Sequence, residues 1–107
     1  MNKYFLHSKI TAKKGEAENL ALILLEAAKL LSTFEGCLLY VIGKDEKEEH
    51  AVWVTELWNS KEDHDNSLKL QGVRDLISKA LPIIEGQPTK GQELKIIGGK
   101  GLVNIYE

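Results

Sequence analysis

Cysteine is almost missing from this chain, which has one, Cys37, in 107 residues. A single cysteine excludes an internal disulfide and any thiolate metal cluster built within one chain. Inside Gly36-Cys37-Leu38-Leu39-Tyr40 it reads as a small buried hydrophobe rather than a nucleophile. Charge of one sign is missing too. The 14 Lys and Arg stand against 16 Asp and Glu, a net charge of -2, and no block of either sign points to nucleic acid. Long apolar runs are absent as well. The longest, Leu20 to Leu25, is followed by Glu26 and Lys29, far short of the roughly 20 residues a membrane span needs. The opening Met1-Asn2-Lys3-Tyr4-Phe5 offers neither an apolar signal core nor a small-residue cleavage site. The expectation is a soluble, cytoplasmic protein.

Cofactor and metal signatures are lacking in the same way. His7, His50 and His64 form no i, i+4 pair and no His-Glu-x-x-His pattern, so no metal is expected. Gly98-Gly99-Lys100-Gly101 has neither the four-residue spacing, the hydroxyl residue after Lys, nor the following helix of a phosphate loop, and reads as a hinge. No flavin or nicotinamide fingerprint is present.

What is present is the composition of an ordinary globular domain, 43% hydrophobic and 28% charged. A chain of this length buries roughly 60 to 70% of the surface it exposes when unfolded, enough for one domain. Tyr4 to Ile10 alternates Tyr4, Leu6, Ser8 and Ile10 against Phe5, His7 and Lys9, the two-residue period of a strand. Glu16 to Ser32 is free of Pro and Gly, rich in Ala, Leu and Glu, and acidic in its first turn, so it is a helix. Its apolar face runs through Ala17, Leu20, Ala21, Leu24, Ala27 or Ala28 and Leu31, and Leu22, Ile23 and Leu25 widen it enough to imply a second apolar neighbour.

Cys37 to Ile42 is an apolar run of strand length between Gly36 and Gly43, and its two apolar faces imply cover on both sides. After the charged loop Lys44 to Glu49, His50 to Trp58 alternates again and should pair antiparallel with it. Asn59 or Ser60 caps a second helix over 61–81, broken near Gly72, with Leu68, Val73, Leu76, Ile77 and Ala80 facing the core and Pro82 marking its end. Gly86-Gln87-Pro88-Thr89 is a loop and Gln92 to Ile97 a last strand. The order is βαββαβ, an α+β ferredoxin-like arrangement with a four-stranded antiparallel sheet and two helices on one face. The domain should span 1–99. Residues 100–107 form a tail whose Leu102 to Tyr106 suits docking on a partner subunit. The uncovered sheet face should be buried against a second copy of itself, giving a homodimer.

The segments Lys13-Lys14-Gly15, Phe34-Glu35-Gly36-Cys37-Leu38-Leu39-Tyr40 and Trp53-Val54-Thr55-Glu56-Leu57-Trp58-Asn59-Ser60-Lys61-Glu62, in this order, resemble the antibiotic biosynthesis monooxygenase family. That group of dimeric α/β barrels includes quinol monooxygenases and, more distantly, haem-degrading enzymes. The resemblance covers most of 3–98. It implies a cofactor-independent monooxygenase acting on a small aromatic or quinol-type substrate that itself supplies the reducing power. Two alternatives stay open: a non-catalytic ligand-binding or stress-related dimer, and a haem-binding or haem-degrading member. One position departs from the family. Its usual helix histidine, eleven residues after the strand glutamate, is here Ser67, and His64 lies about one turn earlier.

The candidate catalytic residues are Glu56, His7 and His64, and the candidate substrate-binding residues are Trp58, Tyr40, Ser67 and Phe5. Glu56, a carboxylate among apolar strand neighbours, is either a base of raised pKa or a structural hydrogen-bond acceptor. Trp58 is either an aromatic wall for a flat substrate or core packing, and Trp53 points to the opposite face. His7 shares the Phe5 face, where an imidazole can orient a substrate oxygen or satisfy an interface. His64, inside Glu62-Asp63-His64-Asp65-Asn66, is either a stand-in for the family histidine or part of a solvated helix face, and His50 reads as a surface residue.

Overall fold

Alternation in the first strand places Tyr4, Leu6, Ser8 and Ile10 on one side of β1 (Tyr4–Thr11), and the computed structural model, which describes residues 3–86 and 91–101, builds its core on that side. Helix α1 (Ala17–Leu31) follows, with Glu18 near its positive end and Lys29 near its negative end. Strands β2 (Cys37–Lys44) and β3 (Ala51–Trp58) form an antiparallel pair. Helices α2 (Lys61–Ser67) and α3 (Gln71–Ala80), a 3₁₀ turn at Leu81–Ile83 and a short β4 (Gln92–Lys95) complete the described chain. The sheet order is β2-β3-β1-β4 with every pair antiparallel, which is the ferredoxin-like topology.

The helices cover one face. Leu20, Ala21, Leu24, Ala27 and Leu31 of α1 are buried, at the three- and four-residue spacing of a single stripe. Leu20, Ala21 and Leu24 meet Val52 and Val54 from β3 in one cluster, while Tyr4, Leu6, Leu31, Trp58 and Val73 form a second, and Tyr40 packs on both. The opposite face carries Phe5, His7, Lys9, Val41, Trp53, Thr55 and Leu57 with no layer over it among the described residues. Val41 and Leu94 stay about half exposed there, at 49% and 51%.

Three expectations shift. The second helix is two helices, and the break falls at 68–70 rather than at Gly72. The amides of Leu68, Lys69 and Leu70 bond three residues back, to Asp65, Asn66 and Ser67, so the turn tightens and stops. Leu70 is then extended at ψ 132°. The restart at Gln71 resets the helical phase, which keeps Val73, Leu76 and Ala80 in the core but leaves Leu68 and Ile77 40% or more exposed. Gly72 serves close packing instead: a Cβ there would sit 3.0 Å from Leu30 Cδ1 on α1. The last strand stops at Lys95, short of Ile97, which is 93% exposed. Finally, α3 is the second neighbour of α1, yet Leu22 and Leu25 remain more than half exposed. The 87–89 part of the expected loop and the docking tail at 102–106 lie outside the described residues.

The start of α2 depends on one glycine. Ser60 caps the helix by accepting from the Asp63 amide at 3.1 Å, and Gly36 accepts from the Asn59 amide at 2.8 Å, so the helix start sits directly on the beginning of β2. A Cβ at Gly36 would lie 2.6 Å from Asp63 Cγ. Because the φ of Gly36 is not positive, the constraint is steric. Gly36→Ala is therefore expected to destabilise by about 1–3 kcal/mol, read as a fall in Tm of roughly 4–8 °C per kcal/mol. Gly43→Ala, where a Cβ meets nothing within 4 Å, should leave Tm unchanged or slightly raised.

Candidate active site

Side chains of β3 alternate, so Val52, Val54, Glu56 and Trp58 all turn toward the helices, and Glu56 is the only acid among them. It is 8% exposed. Trp58, next on the same face, donates from Nε1 to Glu56 Oε1 at 3.0 Å. Burial removes the water that would stabilise the charge and raises the carboxyl pKa; the indole N–H, and a positive charge on the nearby His64 ring, pull it back, but less.

His64 comes from α2, the helix placed by Ser60 and Gly36. Its side chain is only 15% exposed, and Nε2 lies 3.9 Å from Glu56 Oε1. The ring packs tilted against Tyr4 at 5.2 Å and edge-on to Trp58 at 5.4 Å. Its Nδ1 meets Asp65 Oδ1 at 3.0 Å. It is therefore packed into the site and does not belong to a solvated helix face. Tyr40 is the β2 partner of Glu56 in register. Its phenol is pushed up by burial and then by the Glu56 charge, so it stands as a neutral donor, and among the described residues its hydroxyl has no hydrogen-bond partner. Ser67 is buried and donates to the His64 carbonyl at 2.6 Å, one turn back on its own helix.

These groups line a cavity of about 140 Å³ between the sheet and the helices, closed by Leu24, Leu31, Val73 and Leu76. A second cavity of about 370 Å³, reaching Ser8, Thr11 and Ile84, shares Leu24, Tyr40 and Glu56 as its wall. Glu56 thus faces both. A wider cleft of about 500 Å³ lies between α1 and α3 at Lys29, Gly72 and Asp75, but none of its titratable residues is buried.

Of the residues singled out from the sequence, Glu56, His64, Trp58, Tyr40 and Ser67 converge on one cavity. His7 and Phe5 do not. They sit on the uncovered face, where His7 Nδ1 contacts Thr55 Oγ1 at 3.0 Å and its ring stacks on Trp53 at 4.8 Å. Two contributors were missed. Asp65 was visible only as a neighbour of His64, and Tyr4 reaches His64 because β1 pairs it with Trp58, a register that sequence spacing does not reveal. Among the described residues no three His, Cys, Asp or Glu converge to hold a metal ion, and no helix is long and apolar enough to cross a membrane.

A ferredoxin-like sheet that holds a buried carboxylate over an apolar cavity makes this an α+β domain. Residues 4–79 match the profile of the antibiotic biosynthesis monooxygenases, and the chain belongs to that family. A solved structure from Chloroflexus aurantiacus, described provisionally as an antibiotic biosynthesis monooxygenase, is 38% identical, superposes with a TM-score of 0.84, and covers 94% of this chain and 99% of its own. Proteins from Caulobacter crescentus (18% identity, TM-score 0.81, 89% and 90% covered) and Nitrosomonas europaea (11%, 0.84, 92% and 94%), with the same provisional description, share the fold. No curated protein matches the chain significantly.

The raised carboxyl pKa has a stability consequence. A group that holds its proton more tightly when folded contributes stability at low pH, and that contribution is lost as pH climbs from the ordinary carboxylate range through the folded value. Glu56→Gln keeps an oxygen for the Trp58 indole and removes the titration. Its Tm is expected to match that of the unaltered protein near pH 4 and to exceed it at pH 8, each kcal/mol reading as about 4–8 °C. Equal differences at both pH values would show that Glu56 does not titrate in this range.

Proposed function

We propose that the chain is a cofactor-independent monooxygenase for a small aromatic or quinol-type substrate, a reading carried by the buried Glu56 at the wall of an apolar cavity, where burial makes its ionised form a stronger base. Glu56 takes a proton from a substrate hydroxyl. The electron-rich anion passes one electron to oxygen, the two radicals join at a ring carbon, and the O–O bond breaks as water leaves. One oxygen atom enters the product, and the other departs as water with two hydrogens from the substrate. Trp58 and the leucines keep the site dry, which strengthens the field of Glu56, and the Tyr40 hydroxyl, on the cavity wall opposite Glu56 in register, holds a second substrate oxygen in this reading.

The dimer belongs to the same proposal. Phe5, Val41, Leu57 and Leu94 make an apolar surface on the uncovered sheet face, and a second copy of that face is the partner that matches it. A ligand-binding dimer without chemistry is the second reading, favoured by the 140 Å³ of the inner cavity, which is below the ~300–1,000 Å³ usual for ligand pockets unless the adjoining cavity is used as well.

Oxygen uptake by metal-free protein across a panel of quinols and hydroxylated aromatics separates the two readings. Uptake that falls by about 10²-fold or more in Glu56→Gln is expected for a general base; binding without uptake would favour the non-catalytic dimer. Sedimentation at micromolar concentration should give twice the chain mass. Leu57→Glu, placing a charge in the apolar cross-strand row of Leu39, Leu57, Phe5 and Leu94 on the uncovered face, should give a folded monomer, and a monomeric unaltered protein would overturn the dimer.

A further inference from the structure

A line of polar contacts leaves the cavity through α2. Asp65, its side chain 48% exposed, accepts from Lys61 Nζ at 2.9 Å and meets His64 Nδ1 at 3.0 Å. The other nitrogen of that ring is 3.9 Å from the buried oxygen of Glu56. From solvent to the cavity wall, no step in this line exceeds 4 Å.

The chemistry of the end groups sets the direction of the ring. An ionised carboxylate only accepts, and Asp65 is held ionised by Lys61 and then by His64. His64 Nδ1 must therefore carry a hydrogen, which leaves the Nε2 lone pair toward Glu56. Glu56, facing that lone pair, is the carboxylate whose proton affinity burial raises, so its ionised form takes up a proton from the cavity. The other groups facing this pair are Trp58 from β3, Tyr4 from β1 with its hydroxyl bonded to Glu93 of β4, and Tyr40 and Cys37 from β2. Both tyrosines and the cysteine are pushed up by burial and by neighbouring carboxylates, so they are neutral. The exchange of protons is confined to Glu56 and His64.

We propose that Asp65, His64 and Glu56 form a proton relay, in which Glu56 collects a proton at the cavity, His64 Nε2 takes it over, and Asp65 is the positioning residue that fixes the Nδ1–H tautomer. The relay rests on the reading of Glu56 as the base and explains how one carboxylate serves a substrate that gives up two hydrogens. The first proton rests on His64 as an imidazolium bonded to Asp65, and the second rests on Glu56. Both return to the departing oxygen as water forms, so the protein ends unchanged. The 3.9 Å gap is about 1 Å longer than a hydrogen bond, a distance closed by a small rotation of either side chain or by one bridging water.

Nitrogen-detected NMR of the labelled full chain without substrate tests this, His64 being assigned by its loss in His64→Gln. The expected spectrum shows neutral His64 as the Nδ1–H tautomer, and the Glu56 carboxyl carbon titrates above the ordinary carboxylate range. Asp65→Ala should shift the ring to Nε2–H, and Asp65→Asn, which keeps an acceptor oxygen, should restore Nδ1–H. An Nε2–H ring in the unaltered protein, or a Glu56 titration that does not move in His64→Gln, would overturn the relay. None of these signals needs turnover, so absent oxygen uptake counts against the proposed function alone. With a substrate that supports oxygen uptake in hand, Asp65→Ala should lower kcat about tenfold with KM within twofold; an unchanged kcat would overturn the relay.

Discussion

One buried carboxylate organises this molecule. Glu56 sits where water is excluded, and an isolated ionised acid in such a place is strongly disfavoured. The fold meets that constraint with an indole N–H from Trp58, two residues along the same strand face. The arrangement is reciprocal. Trp58 is 1% exposed, so its own N–H also needs an acceptor, and Glu56 provides one. What the indole and a positive charge on the His64 ring do not offset remains as a raised carboxyl pKa. The field of that acid then reaches Tyr4, Tyr40 and Cys37, each from a different strand position. The core and the candidate site are therefore one structure: the tryptophan that fills the space is also the donor that steadies the acid.

The second helical segment supplies what the sheet cannot. α2 has only seven residues, too few to be stable alone, and it is fixed by its Ser60 cap and by close approach to Gly36. Ending it early, at 68–70, lets α3 take its own angle and bring Val73, Leu76 and Ala80 onto the cavity roof. A continuous helix would have kept one phase for both jobs, and His64 and Leu76 would not both point to the same cavity.

Much of this was legible in the sequence, for a physical reason: strand period, the long Ala/Leu helix and the glycine punctuation are local signals, and they yielded the βαββαβ order. Glu56, Trp58 and Tyr40 could be singled out because an acid inside an apolar strand and large aromatics beside it stand out without coordinates. Pair register could not be read. That is why His7 and Phe5 were grouped with residues that the sheet separates from them, and why Tyr4 and Asp65 went unnoticed. The helix break was misplaced at Gly72 because glycine weakens a helix, whereas here it serves contact with Leu30. Ser67 stood out as a departure from the family pattern, but only the three-dimensional arrangement shows His64, one turn earlier, reaching the acid from its own position.

The irregularity in β2 bears on how such a chain tolerates change in length. Cys37 pairs with Trp58, Leu39 with Leu57 and Tyr40 with Glu56, so Leu38 is an extra residue opposite no partner. Strict alternation would turn Tyr40 away if Cys37 faced inward; the spare residue lets both face the helices. It also explains why the segment reads as unbroken apolar sequence. Relatives shorter by one residue at this point would keep every face of the strand, whereas loss of Leu57 from the unbulged ladder of β3 would turn Trp58 and Glu56 toward opposite sides of the sheet. Length variation in this family should therefore be absorbed inside a strand, where alignments ordinarily forbid gaps.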